Sequence, residues 1–212
     1  MNQKEIFINR EADNWFQRNI DALDKRDYTQ DTVCREVGKF DTERKCKILE
    51  VGCSAGHRLT FLSTLGYSVK GIEPSILAVN KARSRGCDVI QGTADNLNLA
   101  DQTVDILIFG FCLYLVDPAD YFKIAAESYR VLSDNGVIII HDFAPKTHYK
   151  NEYVHLDGVK SYKFDFSQIF LSHPHLVLKS KTTETHSRQK EDMNNQDEWV
   201  QISVISKHIS LF

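Results

Sequence analysis

The chain has 212 residues, enough for one sizeable domain with a buried core but short for two. Hydrophobic residues make up 42% of the chain and charged residues 26%, which is typical of an ordinary globular protein. The formal net charge of -3 gives no electrostatic case for nucleic acid as a partner, because a face that binds phosphates is visibly basic.

The five cysteines form no close pair, and three of them fall in or beside predicted strands, where a free thiol behaves as a small hydrophobe. This pattern favours a reducing cytoplasm over a disulfide framework. Residues 1–9 show no signal-peptide pattern, and no apolar run approaches the length of a membrane span. We therefore expect a cytoplasmic monomer or homodimer with no membrane partner.

Two helices are predicted ahead of the first strand. Residues 9–24 place apolar side chains at spacings of three and four, and a weaker helix follows over about 29–40. We expect residues 1–42 to form a helical cap. It either covers one edge of the sheet or forms a lid over a ligand, with Trp15 on its inner side.

From residue 47 onward, predicted strands and helices alternate. Five strands are expected, at 48–51, 68–73, 87–91, 103–109 and 137–140. Repeated strand–helix–strand units with apolar strands predict an α/β fold, a doubly wound parallel sheet with helices on both faces. The helix over 117–132 is expected to turn four side chains inward: Tyr121, Phe122, Ala125 and Ala126.

The end of the chain is predicted to close the sheet. A short helix is expected near 167–171, and two further strands over 175–183 and 199–207. These two strands are joined by the polar segment 184–198, which we expect to be a loop. They predict an antiparallel hairpin at the edge of the sheet.

The first strand ends in two glycines, Gly52 and Gly56, immediately before a helix. This arrangement brings bare backbone close to a nucleotide-like ligand. Leu59 stands where a dinucleotide enzyme has its third glycine, and Glu50 before the turn would repel a pyrophosphate but attract a cationic amine. The turn therefore favours an adenosine ligand with a positive charge over the nicotinamide cofactor of an oxidoreductase.

Two acidic residues follow the next two strands. Glu73 ends the second strand, where a carboxylate can accept hydrogen bonds from both hydroxyls of a ribose. Asp95 follows the third strand, where a carboxylate can accept a hydrogen bond from the exocyclic amine of an adenine. The alternatives are a surface carboxylate for Glu73 and a loop N-cap for Asp95.

Four stretches together resemble the class I S-adenosylmethionine-dependent methyltransferases: Glu50–Gly56, Gly71–Ser75, Gly92–Leu97 and Val104–Ile108. The resemblance implies a Rossmann-like domain over 43–212, with a seven-stranded, mostly parallel sheet and an antiparallel last strand. It also implies S-adenosyl-L-methionine as the cofactor.

The resemblance further implies which residues bind that cofactor. The glycine turn would pass under the methionine moiety, the second strand would hold the ribose, and the third would flank the adenine. The segment after the fourth strand would line the methyl-donor pocket. The residues so implied are Glu50, Gly52, Cys53, Ser54, Gly56, Glu73, Pro74, Asp95, Asn96, Gly110 and Phe111.

Methyl transfer from a sulfonium depends mainly on positioning, with a general base added when the acceptor is a hydroxyl. Three residues are candidate bases: His141 and Asp142 at the end of the fifth strand, and His155 beyond it. Because side chains alternate along a strand, one of His141 and Asp142 is expected to face the pocket. The alternative for each histidine is a structural or surface role.

The segment 143–175 is predicted to select the acceptor. Its Tyr and Phe residues are interleaved with Lys150, Lys160 and Lys163, which suits a polar, anionic small molecule. We expect methyl transfer to a hydroxyl of a sugar-nucleotide or natural-product-type acceptor, without a metal because Asp142 has no adjacent acid. The alternative is a non-catalytic module that binds an adenosyl ligand or a protein partner.

Overall fold

The computed structural model describes residues 3–187 and 193–211 of the protein. The predicted loop over 184–198 lies partly beyond that range, because residues 188–192 are outside the described residues. Within the described part of the chain, every helix is too short or too polar to span a lipid bilayer.

Seven strands form the main sheet: β1 (Lys47–Val51), β2 (Ser68–Glu73), β3 (Val89–Gln91), β4 (Val104–Gly110), β5 (Leu132–Phe143), β8 (Leu176–Thr185) and β9 (Trp199–Lys207). Their order across the sheet is β3-β2-β1-β4-β5-β9-β8. The first five are parallel, and β9 runs antiparallel to both β5 and β8. The predicted mostly parallel sheet with an antiparallel last strand is therefore confirmed.

Two short strands lie apart from the main sheet. The strands β6 (Tyr149–Glu152) and β7 (Lys160–Lys163) pair with each other in an antiparallel hairpin. This hairpin lies within the segment 143–175 that was predicted to select the acceptor.

The helices are α1 (Gln3–Ile6), α2 (Ala12–Asp24), α3 (Thr32–Phe40), α4 (His57–Thr64), α5 (Ile76–Ser84), α6 (Tyr121–Val131) and α7 (Ser167–Leu171). A π-helical segment, Phe7–Glu11, joins α1 to α2. The residues 3–24 thus form a nearly continuous helical stretch ahead of the sheet.

The core has two layers because the central strands are buried on both faces. On one face, Leu107 of β4 and Ile138 of β5 pack in a cluster with Ile124 of α6 and residues of α7. On the other face, the neighbouring strand residues pack against α3 and α4. The alternation along each strand therefore sends adjacent apolar residues to opposite helical layers.

The inward face of α6 differs from the prediction. Tyr121 is buried, but Phe122 is 77% exposed and Ala126 is exposed as well. The buried residues of this helix are Tyr121, Ile124, Ser128 and Val131, which recur at the period of an α-helix. The prediction for Phe122 and Ala126 was wrong because, at about 100° per residue, both lie on a different side of the helix from this stripe.

Candidate active site

The carboxyl ends of the parallel strands surround a cavity of about 500 Å³. Its walls come from the turns after β1, β2, β3 and β4, from the helical stretch 3–24, and from the residue that follows β8. Ligands of doubly wound sheets bind at this edge. The volume lies within the range of pockets for cofactors and small molecules.

The turn after β1 forms the floor of the cavity. Gly52 and Ser54 both have positive φ angles, of 73° and 49°. A Cβ atom added to Gly52 would lie 2.7 Å from the Cβ of Cys112, so only glycine fits there. Gly56 has a different role, because it allows the start of α4 to approach the thiol of Cys87.

Glu73 holds this turn against the end of β2. Its Oε2 accepts a hydrogen bond of 2.7 Å from the backbone N–H of Ser54, and its Oε1 accepts one of 2.9 Å from that of Ser75. Burial raises the pKa of Glu73 to about 7. Each carboxylate oxygen retains a second acceptor position, so Glu73 can also accept hydrogen bonds from two neighbouring hydroxyls of a ligand.

Glu50 belongs to a buried ion cluster beneath the turn. Its Oε1 accepts a hydrogen bond from Arg58, whose Nε and Nη2 donate to the two carboxylate oxygens of Asp31 at 3.1 and 3.2 Å. Arg26 donates to Asp31 as well, at 2.9 Å. Two carboxylates thus face two guanidinium groups. Although burial opposes ionisation, the charge of Arg58 holds the pKa of Asp31 well below its usual range.

This cluster changes how Glu50 acts on the cavity. Its negative charge is shared with Arg58, so it attracts a cationic amine less strongly than an isolated carboxylate does. Its Oε2 atom is buried and has no hydrogen-bond partner among residues 3–187 and 193–211. Because Glu50 lines the cavity, a ligand amine can donate a hydrogen bond to this unpartnered oxygen.

Asp95 lies on the wall next to the helical stretch 3–24. Its Oδ2 accepts a hydrogen bond of 2.7 Å from Nζ of Lys4. Burial acts against ionisation of Asp95, but the hydrogen bonds from Lys4 and Thr93 and the charge of Lys4 together outweigh it and lower the pKa of that carboxyl. Asp95 is therefore a charged hydrogen-bond acceptor on the cavity wall, and one of its oxygens is already bonded to Lys4.

The structure brings most of the implied cofactor residues to the cavity. Those that line it are Glu50, Gly52, Cys53, Ser54, Glu73, Pro74, Asp95, Gly110 and Phe111. Gly56 and Asn96 lie outside the lining. The role of each of these residues toward a cofactor stays a prediction.

Two of the three candidate bases do not reach the cavity. His141 is 2% exposed, and its Nε2 lies 3.1 Å from Oε1 of Glu184. Asp142 is equally buried and accepts hydrogen bonds from the backbone N–H groups of Leu113 and Phe143, at 2.9 and 2.8 Å. Burial raises the pKa of Asp142 to about 7. Asp142 thereby fixes the segment that follows β4.

His155, the third candidate, is exposed and lines the cavity beside Tyr153. A second histidine that the sequence analysis did not identify, His186, also lines it. His186 immediately follows β8, which is parallel to β5 and so ends at the same edge of the sheet. The sequence analysis predicted this edge hairpin but expected its first strand to end at Thr183. His186 was therefore not placed at the edge of the sheet.

The helical stretch 3–24 covers the cavity. Phe7, Trp15 and Asn19 line it, as does Lys4. The side chain of Gln3 donates hydrogen bonds to the backbone oxygens of Leu115 (2.6 Å) and Lys160 (2.9 Å), and it accepts one from the N–H of Lys160 (3.0 Å). The cover is thus fastened both to the turn after β4 and to β7.

The part of the chain that the structure describes contains no group of three or more His, Cys, Asp or Glu side chains that could hold a metal ion. The same residues include five free cysteines.

The fold is the Rossmann-like fold of methyltransferases, as comparison with solved structures shows. An S-adenosylmethionine-dependent methyltransferase of Methanosarcina mazei superposes with a TM-score of 0.68 at 15% identity, over 82% of this chain and 97% of that one. The 1,6-didemethyltoxoflavin-N1-methyltransferase of Burkholderia thailandensis, solved with its acceptor and S-adenosylhomocysteine, gives 0.69 at 14% identity, over 91% and 84%.

Sequence comparison points to the same kind of domain. The family model described as a methyltransferase domain matches residues 49–140, from β1 into β5. A ubiquinone/menaquinone biosynthesis C-methyltransferase of Campylobacter jejuni is 25% identical over 123 residues, which is 54% of this chain and 52% of that protein. The chain thus spans about half the length of this relative. Both comparisons support the predicted class: residues 49–140 match a methyltransferase-domain model, and the fold is that of solved S-adenosylmethionine-dependent methyltransferases.

Proposed function

We propose that the protein transfers a methyl group from S-adenosyl-L-methionine to a hydroxyl of a small-molecule acceptor. The observation that carries this proposal is the continuity of the cavity. One space runs from Asp95 and Glu73, past the glycine turn, to the aromatic side chains beyond β4. A donor and an acceptor can therefore lie side by side in it.

The chain's own residues fit the cofactor in three places. We assign Glu73 to the ribose hydroxyls and Asp95 to the adenine amine. The unpartnered Oε2 of Glu50 is assigned to the methionine ammonium. The bound cofactor supplies an activated methyl group, and the protein's main contribution is to hold it against the acceptor and exclude water.

The charges on the cavity wall favour a natural-product-type acceptor over a sugar nucleotide. Three basic side chains are among the lining residues, and each forms an ion pair: Lys4 with Asp95, Arg26 with Asp31, and Arg58 with Asp31 and Glu50. A diphosphate entering this space would meet no uncommitted cation among the described lining residues. Its burial would therefore lack the pairing that buried charges require.

The four lysines of the segment 143–175 do not change this conclusion, because none of them is among the lining residues. Lys150 is exposed, and Lys160 pairs with Glu152. Lys163 donates a hydrogen bond to the backbone oxygen of Asp197, and its Nζ lies 4.3 Å from the ring centre of Phe143.

Two parts of the chain are assigned to ligand control. We propose residues 1–42 as a lid, supported by the lining positions of Lys4, Phe7 and Trp15. Within the methyltransferase domain, proposed over 43–212, residues 143–175 are assigned to acceptor selection. The lining positions of Phe143, Tyr153 and His155 support that assignment.

The cofactor site is tested by calorimetric titration of the purified protein with S-adenosyl-L-methionine. We expect saturable binding, and at least a tenfold loss of affinity in Glu73→Ala, because two hydroxyls lose their acceptor. Glu43→Ala is the matched control, since Glu43 is exposed and distant from the cavity. Unchanged affinity in Glu73→Ala would reject the site.

Turnover is tested separately with cofactor that carries a deuterated methyl group. Pools of small metabolites are incubated with the protein, and labelled products are sought by mass spectrometry. A labelled hydroxyl product supports the proposed reaction. Cofactor binding without any labelled product across these pools would instead indicate a non-catalytic binding module.

A further inference from the structure

The cavity wall beyond β4 is built from aromatic rings that pack on one another. The ring centre of Phe111 lies 5.4 Å from that of Phe143 and 5.3 Å from that of His186. Phe143 and His186 are 5.4 Å apart, so the three rings are in mutual contact. Tyr114 adds an edge contact to Phe143 at 5.2 Å. All four side chains line the cavity, and we call these four residues the aromatic wall.

The backbone of Phe111 is in a conformation that phenylalanine seldom adopts. Its φ angle is +54°, in the left-handed region. Its N–H donates a hydrogen bond of 2.8 Å to the backbone oxygen of His141, which holds the turn in place. Such a conformation has an energetic cost for a bulky residue and often marks a functional site. Here it places a large ring on the wall directly after Gly110.

The sheet order places the aromatic wall on the acceptor side. Asp95 follows β3, Glu73 is the last residue of β2, and Glu50 lies near the end of β1. The proposed cofactor site therefore occupies the edge of three neighbouring strands. The aromatic wall follows β4, β5 and β8, farther along the same edge. The space beside it is therefore left for the acceptor.

The wall suits a planar aromatic ring better than a saturated polyol. Ring edges and faces meet at angles of 69° to 79° in three of its contacts, an arrangement that a further aromatic ring can extend. A sugar would bring several hydroxyls, each needing a partner, whereas the aromatic wall offers few polar groups. Burying unpaired hydroxyls is unfavourable.

His186 is the member of the aromatic wall whose ring nitrogens can accept a proton. Its backbone N–H donates a hydrogen bond of 2.7 Å to the oxygen of Glu198, which anchors it to the start of β9. Its ring contacts Phe111 and Phe143, whereas His155 contacts Tyr153 on the loop between β6 and β7. His186 thus lies where one edge of a ring seated on the aromatic wall would end.

We propose that the acceptor is a planar aromatic compound with a ring hydroxyl, that its ring packs on the aromatic wall, and that His186 accepts the hydroxyl proton. This inference rests on the proposed methyl transfer. The acceptor hydroxyl gives its proton to an imidazole nitrogen, its oxygen forms the bond to the methyl carbon, and the carbon–sulfur bond breaks with its electron pair left on sulfur. The positive charge of the sulfonium ends on the imidazolium of His186.

The surroundings of His186 are consistent with a neutral imidazole that can accept a proton. Partial burial lowers its pKa, with His141, Lys163 and Arg26 acting in the same direction and Glu198 opposing them. These four residues and the rings of Phe111 and Phe143 are the neighbours that influence the titration of His186.

The ring preference is tested by calorimetry with a matched pair of probes, 2-naphthol and decahydro-2-naphthol, in the presence of S-adenosylhomocysteine. We expect 2-naphthol to bind more tightly than its saturated analogue and than uridine diphosphate glucose. Phe143→Leu should reduce the affinity for 2-naphthol about 2- to 10-fold, since it removes the aromatic contact but keeps an apolar side chain. Phe122→Leu, on the exposed face of α6, is the matched control.

Two results would overturn the ring assignment: equal binding of the two naphthols, or a Phe143→Leu variant indistinguishable from wild type. Failure of the proposed function has a different signature: the protein would either bind neither S-adenosyl-L-methionine nor S-adenosylhomocysteine, whatever probe is added, or bind the cofactor without giving any labelled product.

The role of His186 is tested by the absorbance of bound 7-hydroxycoumarin, whose phenol and phenolate have different spectra. In wild type, proton transfer to His186 should increase the phenolate fraction of the bound dye at neutral pH. We expect His186→Gln and His186→Asn to lose this increase, and His155→Gln and the exposed His148→Gln to retain it. Loss in His155→Gln alone would move the base to His155 and overturn the assignment.

Discussion

Beneath the glycine turn, the guanidinium of Arg58 contacts the carboxylates of Glu50 and Asp31, and all three side chains are buried. The three residues come from three different places, β1, α4 and the residue before α3. Their ion pairs therefore connect the floor of the cavity to the helical segment that precedes the sheet. Removing the central cation would leave Asp31 paired with Arg26 and Glu50 without an ion-pair partner among the described residues.

We expect Arg58→Met to lower the free energy of unfolding by about 3 to 5 kcal/mol, the usual effect of breaking a buried ion pair by removing one partner. The measurement is chemical denaturation at neutral pH. Arg10→Met is the control, because Arg10 is exposed and such a surface change is expected to stay within about 0.5 kcal/mol. A similarly small effect for Arg58→Met would show that the cluster contributes little to stability.

Glu73 should make cofactor affinity depend on pH. With a pKa raised by burial to about 7, its carboxyl is protonated at pH 6 and ionised at pH 8. The ionised form is the stronger acceptor for hydroxyls, so affinity for S-adenosyl-L-methionine should increase as pH rises through about 7. Titrations of wild type and Glu73→Gln at each pH isolate this effect, because the cofactor's own amine titrates identically in both. Parallel pH profiles would contradict the prediction.

The same carboxyl has the opposite effect on stability. In the unfolded chain its pKa returns to about 4.5, so between pH 4.5 and 7 the folded protein binds this proton more tightly than the unfolded chain. Its contribution to the free energy of unfolding therefore decreases as pH rises across that window. The ionisation that is expected to strengthen ligand binding therefore lowers the free energy of unfolding of the protein.

At the scale of elements, the helical stretch 3–24 is held over the cavity by a few specific contacts near its start. Gln3 is 7% exposed and makes three hydrogen bonds to the backbone of Leu115 and Lys160. Farther along, Nη2 of Arg18 donates to the hydroxyl of Tyr153 at 3.1 Å. The cover and the segment 143–175 therefore support each other.

We expect Gln3→Ala to open the start of this cover more often, because each lost hydrogen bond contributes about 1 kcal/mol. Hydrogen exchange of peptides from residues 3–11, followed by mass spectrometry, should become at least tenfold faster. Gln17→Ala, on the exposed side of α2, is the matched control. Equal exchange rates in the two variants would show that Gln3 does not fasten the cover.

Sequence patterns predicted the elements well where the signal is local. The bounds of β2, β9 and α7 agree with the structure, because apolar period and turn residues are properties of neighbouring positions. The inward face of α6 was predicted incorrectly because apolar residues occur on more than one side of this helix. The buried stripe runs through Tyr121, Ile124 and Val131, and Phe122 lies outside it.

At the scale of the whole molecule, the site was predictable only in part. The cavity residues near the end of a strand, such as Glu73 and Asp95, could be placed because the carboxyl ends of parallel strands lie at the same edge of the sheet. The pairing of Glu50 with Arg58 could not, since it depends on how α4 packs beneath the turn. His186 was missed for a similar reason, because its place at the cavity depends on where β8 lies and ends in the sheet.

The position of β9 between β5 and β8 also has a consequence for how the protein is made. On the ribosome, β5 is complete at Phe143, but its neighbour β9 begins only at Trp199. Until then, the edge of β5 with Ile138, Ile139 and Ile140 has no partner strand, and such edges are prone to pair with other chains. The strands that end near Glu73 and Asp95 can thus pair early, whereas the open edge of β5 is covered only after β9 has been translated.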